Sequence, residues 1–461
     1  MIGRAAIDER VREWGLREDV VEKDYVLGWL LWGIAADPEL GKSWVFKGGT
    51  CLKKCYIETY RFSEDLDFTV LPDGPVRPDE VAPALVRVLE RVTDESGIDF
   101  SVMEPRFRSR RSEGSTEGRV YYRGPRAAPG AASVKLDLTR DEVLARGTVM
   151  RPIAHPYDDA LPAPAEVRCY SFEELFAEKL RAMGERSRPR DLYDIVNLYR
   201  RPDLRLRGEE IRAALIEKCE SKGVSVPSFA SIEASEFIVE LESEWENMLG
   251  HQLPALPPFG QFWGELAALF DWLEGRAVEE PLEPMAAGRD EDRAWTPPPT
   301  ATMWRVGVPL EEIRFAAVNR LCVELGYQGS TRVIEPYSLR RTRDGNLVLH
   351  ALRADTQEHR SYRVDRIQSA RATNRPFTPA YAIEFSSAGP LSAPPTTRRP
   401  SVSRRPRRTR STASGPTYVV ECPLCGKHFR RKRPGTRLNP HKDKHGYRCS
   451  GRSGYQVDVR W

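Results

Sequence analysis

Two segments of this 461-residue chain alternate polar and apolar residues so strictly that they commit it to a β-sheet with one buried face. In DLDFTV (65–70), Leu66, Phe68 and Val70 point one way and Asp65, Asp67 and Thr69 the other. In SVKLDLTR (133–140), Val134, Leu136 and Leu138 likewise oppose Lys135, Asp137 and Thr139. Same-face residues on a strand stand roughly 6–7 Å apart, a spacing from which two carboxylates converge on one or two divalent cations. If the two strands pair, Asp137 joins Asp65 and Asp67 in a cluster able to bind metal and deprotonate a hydroxyl. The alternative is two solvated strand faces.

Upstream lies a strand-like SWVF (43–46), followed by a Gly48-Gly49 turn and Thr50, which is placed to cap a helix. Such a turn exposes backbone N–H groups to an anion, and the helix dipole adds attraction, so a phosphate fits there. Downstream, SFEELFAEKLRAM (171–183) opens with the capping-box pair Ser171 and Glu174 and carries an apolar stripe through Phe172, Leu175, Phe176, Leu180 and Met183. Lys179 falls on that stripe, as a cation that either snorkels at its edge or is aimed at phosphates or a carboxylate. Beyond it, Asp191 and Asp194 share a helix face at i and i+3 next to Arg190, in a pattern that also suits surface ion pairs.

The chain divides by composition. Residues 1–275 form a large block, 276–303 lose periodicity and fill with Pro and charge as an interdomain connection, and 304–385 form a smaller block. Residues 386–417 contain no acidic residue and almost no core former, which predicts a disordered basic linker before a Cys/His-bearing terminus at 418–461. In the large block, strands are expected near 99–108, 119–123 and 132–139, and helices at 171–186, 189–200, 209–222, 231–249 and 260–274. The predicted class is α+β, a mixed sheet followed by a helical bundle. The smaller block opens with a helical LEEIRFAAVNRLCVEL (310–325) and continues as short strand-like runs, the pattern of a small β-barrel.

Residues 386–461 carry 18 Lys and Arg against 3 Asp and Glu, a local +15, which leaves −11 on residues 1–385. A basic tail on an acidic body suits a polyanionic partner, or solubilises. The longest apolar run, VLGWLLWGIAA (26–36), is too short to span a bilayer, so no membrane partner is expected. The first thirty residues lack a secretory leader pattern, and the expected location is the cytoplasm. Cys422-x2-Cys425, His441, His445 and Cys449 have soft-ligand spacing for tetrahedral Zn2+, with Cys422, Cys425 and His441 favoured and either Cys449 or His445 as the fourth ligand. Arg430, Arg431, Lys432 and Arg433 supply phosphate contacts beside it.

Taken together, GGT-x-L-x-K (48–54), RFSEDLDF (61–68), KLDLT (135–139) and EKLRAM…RPRDLYDI (178–195) resemble the AbiEii/AbiGii group of nucleotidyltransferase toxins in the polymerase-beta-like superfamily, over about residues 20–200. The resemblance implies that Gly48, Gly49 and Thr50 cradle a nucleoside triphosphate, with Lys47, Lys53, Arg61 and Ser63 in the same nucleotide site. It implies that Asp65 and Asp67 hold Mg2+ or Mn2+, that Asp137 is the third carboxylate, that Lys179 contacts phosphates, and that one of Asp191 and Asp194 is essential. It further implies an NTP donor, RNA or protein acceptors with the tRNA 3′ end among them, and a separately encoded antitoxin.

The smaller block resembles a WYL domain, an SH3/Sm-like barrel associated with nucleic-acid or nucleotide sensing. The match lies in Tyr327, Arg332, Glu335, Pro336, Tyr337, Arg360, Tyr362, Arg363, Asp365, Arg366, Pro376 and Phe377, with Leu347-Val348-Leu349 where the family has Trp-Tyr-Leu. Arginines alternating with aromatics, namely Arg332, Arg360, Tyr362, Arg363 and Arg366, suit phosphate contact and base stacking. The terminus resembles a two-Cys two-His finger. Two other readings of the whole remain: a nucleic-acid-binding regulator with a vestigial transferase domain, and a small-molecule nucleotidyltransferase.

Overall fold

The computed structural model describes residues 1–57, 61–110, 114–201, 208–276, 282–286, 288, 290–292, 310–386, 417–431, 433, 435–443 and 448–460. The predicted linker at 386–417 falls almost entirely outside these, as do most of 276–303, Lys432 and His445. The chain forms two units, Met1–Thr396 and Thr397–Trp461.

In the first unit, seven strands build a mixed sheet: β1 (Trp44–Lys47), β2 (Asp65–Val70), β3 (Arg106–Ser109), β4 (Ser115–Tyr122), β5 (Ala132–Thr139), β6 (Thr148–Pro152) and β7 (Glu166–Tyr170), in the order β3-β4-β5-β2-β1-β7-β6. The β2–β5 and β1–β7 pairs are parallel and the others antiparallel. Alternation sets the faces as the sequence predicts: Leu66, Phe68, Val134, Leu136 and Leu138 are buried, while Asp65, Asp67 and Asp137 stay half-buried on the opposite face. Register then brings Asp67 directly opposite Asp137 on one side and Lys47 on the other.

Helices α1 (Arg4–Trp14), α2 (Glu18–Ala36) and α3 (Leu40–Ser43) precede the sheet, α4 (Gly48–Cys51) follows β1 and runs into a π-helical turn at Leu52–Tyr56, and α5 (Pro78–Ser96) follows β2. The α2 helix is buried from Val20 to Ile34 except at Lys23, and is apolar all round from Tyr25 onward, each large apolar side chain contributing about 1.5–3 kcal/mol. It meets α5 at Gly33, where a Cβ would lie 2.3 Å from Val92 Cγ2.

After the sheet come α6 (Phe172–Arg186), α7 (Pro189–Tyr199), α8 (Gly208–Lys222), α9 (Phe229–Glu233), α10 (Ile238–Ser243), α11 (Trp245–Leu249) and α12 (Phe259–Leu273). The single helix expected at 231–249 is three short ones, because the Ser235 hydroxyl accepts the Phe237 N–H and starts a new turn. The α6 cap is half as expected. Ser171 accepts the Glu174 N–H at 3.2 Å, but the Glu174 carboxylate turns away to Lys218 at 2.6 Å and to the Ala145 and Arg146 N–H groups.

The smaller block begins with α13 (Leu310–Val318), shorter than the predicted 310–325 because Arg320 adopts φ +55° and redirects the chain into a strand. Strands β8 (Leu321–Tyr327), β9 (Ser330–Arg341), β10 (Leu347–Arg353), β11 (His359–Arg363) and β12 (Ile367–Pro376) form an antiparallel sheet in the order β11-β10-β9-β8-β12. Among the described residues its edges β11 and β12 do not pair, so the sheet is open where a closed barrel was expected. Its buried residues are continuous with the core of the large block, and Tyr193 Oη on α7 donates to Asn319 Oδ1 at 2.9 Å. Part of the expected connection belongs to this sheet: Arg340 binds Glu291 and the Met285 carbonyl.

The second unit pairs β13 (Thr417–Glu421) with β14 (His428–Arg431) and β17 (Tyr455–Arg460), and a separate two-stranded ladder joins β15 (His441–Lys442) to β16 (Arg448–Cys449). Its small core is Val420, Cys422, Leu438 and Cys449. No described helix of the protein is long and apolar enough to cross a membrane.

Candidate active site

The polar face of β2 and β5 opens into a cleft of about 560 Å³ lined by Lys47, Gly48, Gly49, Arg61, Ser63, Asp65, Asp67, Asp137, Lys179 and Asp191, among others. The turn after β1 closes one wall. Gly48 has φ +80°, and a Cβ there would stand 2.2 Å from Asp67 Oδ2, so the backbone must be bare to pass the carboxylate. Thr50, expected in the cradle as a helix cap, is buried instead, and its Oγ1 donates to the Asp65 carbonyl at 2.5 Å, tying the turn to β2. Lys53 is also buried away from the cleft, its Nζ 3.6 Å from the centre of the Phe62 ring.

Charges in the cleft are unevenly matched. Among the described residues, neither the Asp65 nor the Asp67 carboxylate accepts a hydrogen bond or ion pair. Burial foremost, with repulsion from Asp65 and Asp137 and against the pull of Lys47, pushes Asp67 up to about 6; burial likewise raises Asp65. Asp137 differs, because Lys135 at 2.7 Å and Arg110 at 2.8 Å hold it. A pair of crowded carboxylates with no direct hydrogen-bond or ion-pair partner among the described residues, beside a glycine turn, is a donor set that fits a hard divalent cation.

Opposite, Lys179 Nζ lies 2.8 Å from Asp194 and 3.4 Å from Asp191, which settles the direction of the lysine on the apolar stripe: it is aimed at carboxylates. Arg61 grips Asp194 with Nε at 2.8 Å and Nη2 at 3.0 Å, while its Nη1 donates to Gln252. Asp194 is fully buried; burial acts to raise its pKa, and Arg61 and Lys179 reverse this and hold it at about 2. Asp191 faces the cleft and pairs with Arg186 at 2.9 Å. Both aspartates are buried and they differ in their partners: Asp194 fixes Arg61 and Lys179 from behind, whereas Asp191 lines the cleft and pairs with Arg186 and, at 3.4 Å, with Lys179.

The cleft also contains residues the sequence did not single out as site residues: Arg110, Lys135, Glu142, Glu178, Arg181, Arg186 and Arg190. Lys135 shares the strand face of Asp137, and Glu178 adjoins Lys179, so both had a local signal. Arg110 and Glu142 follow strands β3 and β5 in segments without periodicity, and nothing in the sequence marks them.

In the second unit, Cys422, Cys425, His441 and Cys449 bring four ligand atoms within 4.8 Å of one another, a set able to hold a metal ion. His441 Nδ1 faces the Asn439 carbonyl at 2.9 Å and must donate to it, which leaves Nε2, 3.4 Å from Cys425 Sγ, as the free lone pair. Arg430 and Arg433 are exposed and Arg431 half-buried. In the β8–β12 sheet, Arg360 and Arg366 are exposed, Arg363 pairs with Asp365 at 2.8 Å, and Arg332 donates to the Tyr327 carbonyl. Tyr362 is buried edge-on against Tyr327, with ring centres 5.1 Å apart, so it offers no face for the expected base stacking.

A turn with bare amides, facing lysines and a strand-borne carboxylate cluster, has the parts a nucleotidyl-transferring enzyme uses to hold phosphates and activate a hydroxyl. The profile of the AbiEii family, nucleotidyl transferase toxins of type IV toxin–antitoxin systems, matches residues 29–274, more than half of the chain. The chain belongs to this family and is a nucleotidyltransferase. A WYL-domain profile matches residues 309–372. No curated protein matches the chain. Among solved structures, the nucleotidyltransferase toxin MenT4 from Mycobacterium tuberculosis H37Rv aligns at 20% identity over 59% of this chain and 90% of its own, with a TM-score of 0.44. The proteasome accessory factor B/C of Arthrobacter aurescens aligns at 11% identity over 79% of this chain and 74% of its own, with a TM-score of 0.15.

Proposed function

We propose that the protein transfers a nucleoside monophosphate from an NTP to an RNA acceptor, the tRNA 3′ end among the candidates, and that it acts as a toxin held in check by a cognate antitoxin. The observation that carries this reading is the in-register pair Asp67 and Asp137 with Asp65 beside them, facing the Gly48-Gly49 turn. In this reading, Gly48 and Gly49 present amides to the triphosphate and Lys47, Arg61 and Ser63 border it. Thr50 and Lys53 support the turn from the core. Asp65 and Asp67 would hold Mg2+ or Mn2+, which when bound supplies charge neutralisation at the phosphates. Asp137 takes the acceptor proton, Lys179 and Asp191 face the phosphates from the opposite wall, and Asp194 positions Lys179 and Arg61.

The acceptor assignment rests on charge. The cleft carries Arg110, Arg181, Arg186, Arg188 and Arg190 around its carboxylates, cations that suit a phosphate backbone, and the tail adds a local +15. We assign Zn2+ to Cys422, Cys425, His441 and Cys449, and phosphate contacts to Arg430, Arg431, Lys432 and Arg433. The WYL domain would take a nucleic acid or nucleotide through Arg332, Arg360, Arg363 and Arg366. The architecture we infer is a polymerase-beta-like domain with its helical bundle at 1–275, an SH3/Sm-like module at 304–385 and a zinc module at 418–461. From the proposed NTP and RNA substrates we infer a cytoplasmic location.

The test incubates wild type and an Asp65→Ala/Asp67→Ala variant with Mg2+, each labelled NTP in turn, and total bacterial RNA. Label on an RNA band from wild type alone supports the reading. Label from both proteins sinks the mechanism, and no label with salt-sensitive RNA binding retained favours a binding regulator.

A further inference from the structure

Outside both sites, three cysteines from different segments converge in the core. Cys51 ends α4, Cys55 lies on the π-helical turn one helical step later, and Cys169 sits on β7 opposite Phe46 of β1. All three are fully buried, and their sulfur atoms lie within 4.8 Å of one another. Three thiolates around one ion with metal–sulfur bonds of about 2.3 Å would stand about 4 Å apart, so little movement separates the present arrangement from a coordinated one.

Two neighbours argue for more than apolar packing. The Tyr56 hydroxyl lies 3.9 Å from Cys169 Sγ but is committed to the Tyr170 carbonyl at 2.6 Å, which removes it as a fourth ligand. The Arg151 guanidinium stacks on the Tyr56 ring at 4.7 Å, within electrostatic reach of Cys55 and Cys169, and its buried Nε has no hydrogen-bond partner. Three thiolates around one monovalent cation make an anion, and the half-buried Arg151 guanidinium stands where it would offset that charge. Zinc in structural sites takes four ligands, and no fourth His, Cys, Asp or Glu joins this group among the described residues. Three soft donors in a dry core suit a low-coordinate, thiophilic ion.

We propose that Cys51, Cys55 and Cys169 form a three-sulfur site for a soft monovalent d10 cation, typified by Cu(I). Binding releases thiol protons and joins three thiolates to one ion without change of oxidation state. Because Cys51 and Cys55 continue from the Gly48-Gly49 turn, and Cys169 pairs next to Lys47, the ion would pin the phosphate-binding turn to β7.

The experiment titrates reduced, full-length protein anaerobically with Cu(I) against a chromophoric Cu(I) chelator. The background is Cys422→Ser/Cys425→Ser, which removes the C-terminal thiol pair. One Cu(I) per chain is expected, with at least 100-fold weaker binding when Cys55→Ser is added. A background protein that takes no Cu(I) from the chelator overturns the site, as does unchanged binding after Cys55→Ser. If the added substitution prevents folding, copper-edge X-ray absorption of the loaded background protein decides: three sulfurs at about 2.3 Å support the site, and nitrogen or oxygen ligands, or fewer sulfurs, refute it.

Discussion

Replacing Asp194 by asparagine keeps the side-chain shape and removes one negative charge from between two buried cations. Arg61 loses two charge-assisted bonds of 2.8 and 3.0 Å and Lys179 a contact of 2.8 Å, which leaves Asp191 as the carboxylate beside Lys179 and Arg186. Removing one member of a buried pair costs about 3–5 kcal/mol, because the remaining charge stays in the interior. The lowering of Asp194 from 3.8 to about 2 corresponds to about 2–3 kcal/mol by linkage, the same order. At about 2 °C per kcal/mol for a large unit, calorimetry should show Tm falling by about 6–10 °C. Since the folded pKa lies below the unfolded one, the stabilisation is complete above about pH 4 and is lost as pH falls through 2, so the gap between wild type and Asp194→Asn should close over that window. The matched control is Asp191→Asn: Asp191 is as buried, but its nearer partner Arg186 is 49% exposed and its contact with Lys179 is the longer one at 3.4 Å, so it should cost less, about 1–2 kcal/mol. A shift under 2 °C for Asp194→Asn, or a larger one for Asp191→Asn, would refute this account.

Other substitutions separate chemistry from stability. Asp67→Asn should reduce labelled-NTP transfer by about 10³-fold or more while leaving Tm unchanged or higher, because it relieves a buried, repelled charge; a large loss of Tm would mean that the carboxylate is structural. Gly48→Ala forces a Cβ onto Asp67 and a side chain into φ +80°, at about 1–2 kcal/mol, and should raise the KM for NTP at least tenfold with an unchanged circular dichroism spectrum; an unaltered KM would remove this turn from the nucleotide site. Stripping zinc should expose residues 417–460 to protease. Cys449→Ser should do the same, while His445→Ala retains one zinc per chain by atomic absorption; zinc loss in His445→Ala would reverse the ligand assignment.

The WYL-matching sheet is joined to the helix that carries Asp191 and Asp194. Tyr193 lies between those aspartates in sequence, and its hydroxyl donates to Asn319, where α13 gives way to β8. Arg200, one residue past α7, and Arg320, one residue past Asn319, both bind Glu265 of α12, at 2.7 and 2.9 Å. The segment RDLYDI therefore has two faces, with Asp191 lining the cleft and Asp194 holding the cations of its wall, and a tyrosine turned toward the WYL-matching module.

How far the site was legible follows from the range of each interaction. Period-two alternation is local, so the faces of DLDFTV and SVKLDLTR could be read directly, and the cluster of Asp65, Asp67 and Asp137 needed one further condition, strand pairing, which the parallel β2–β5 ladder meets. Helical spacing put Lys179 on an apolar stripe but could not say what it met. Its partner Asp194 holds Arg61 from 133 positions away, and no periodicity carries information over that distance. The same limit explains Thr50, Lys53 and Tyr362. Each residue type suited the ligand role assigned to it, and each is turned inward by contacts, with the Asp65 carbonyl, the Phe62 ring and Tyr327 respectively. Charge that must be buried finds its counter-charge through tertiary structure, and for that reason the sequence marked the carboxylates open to the cleft more readily than the ion pairs that hold its walls.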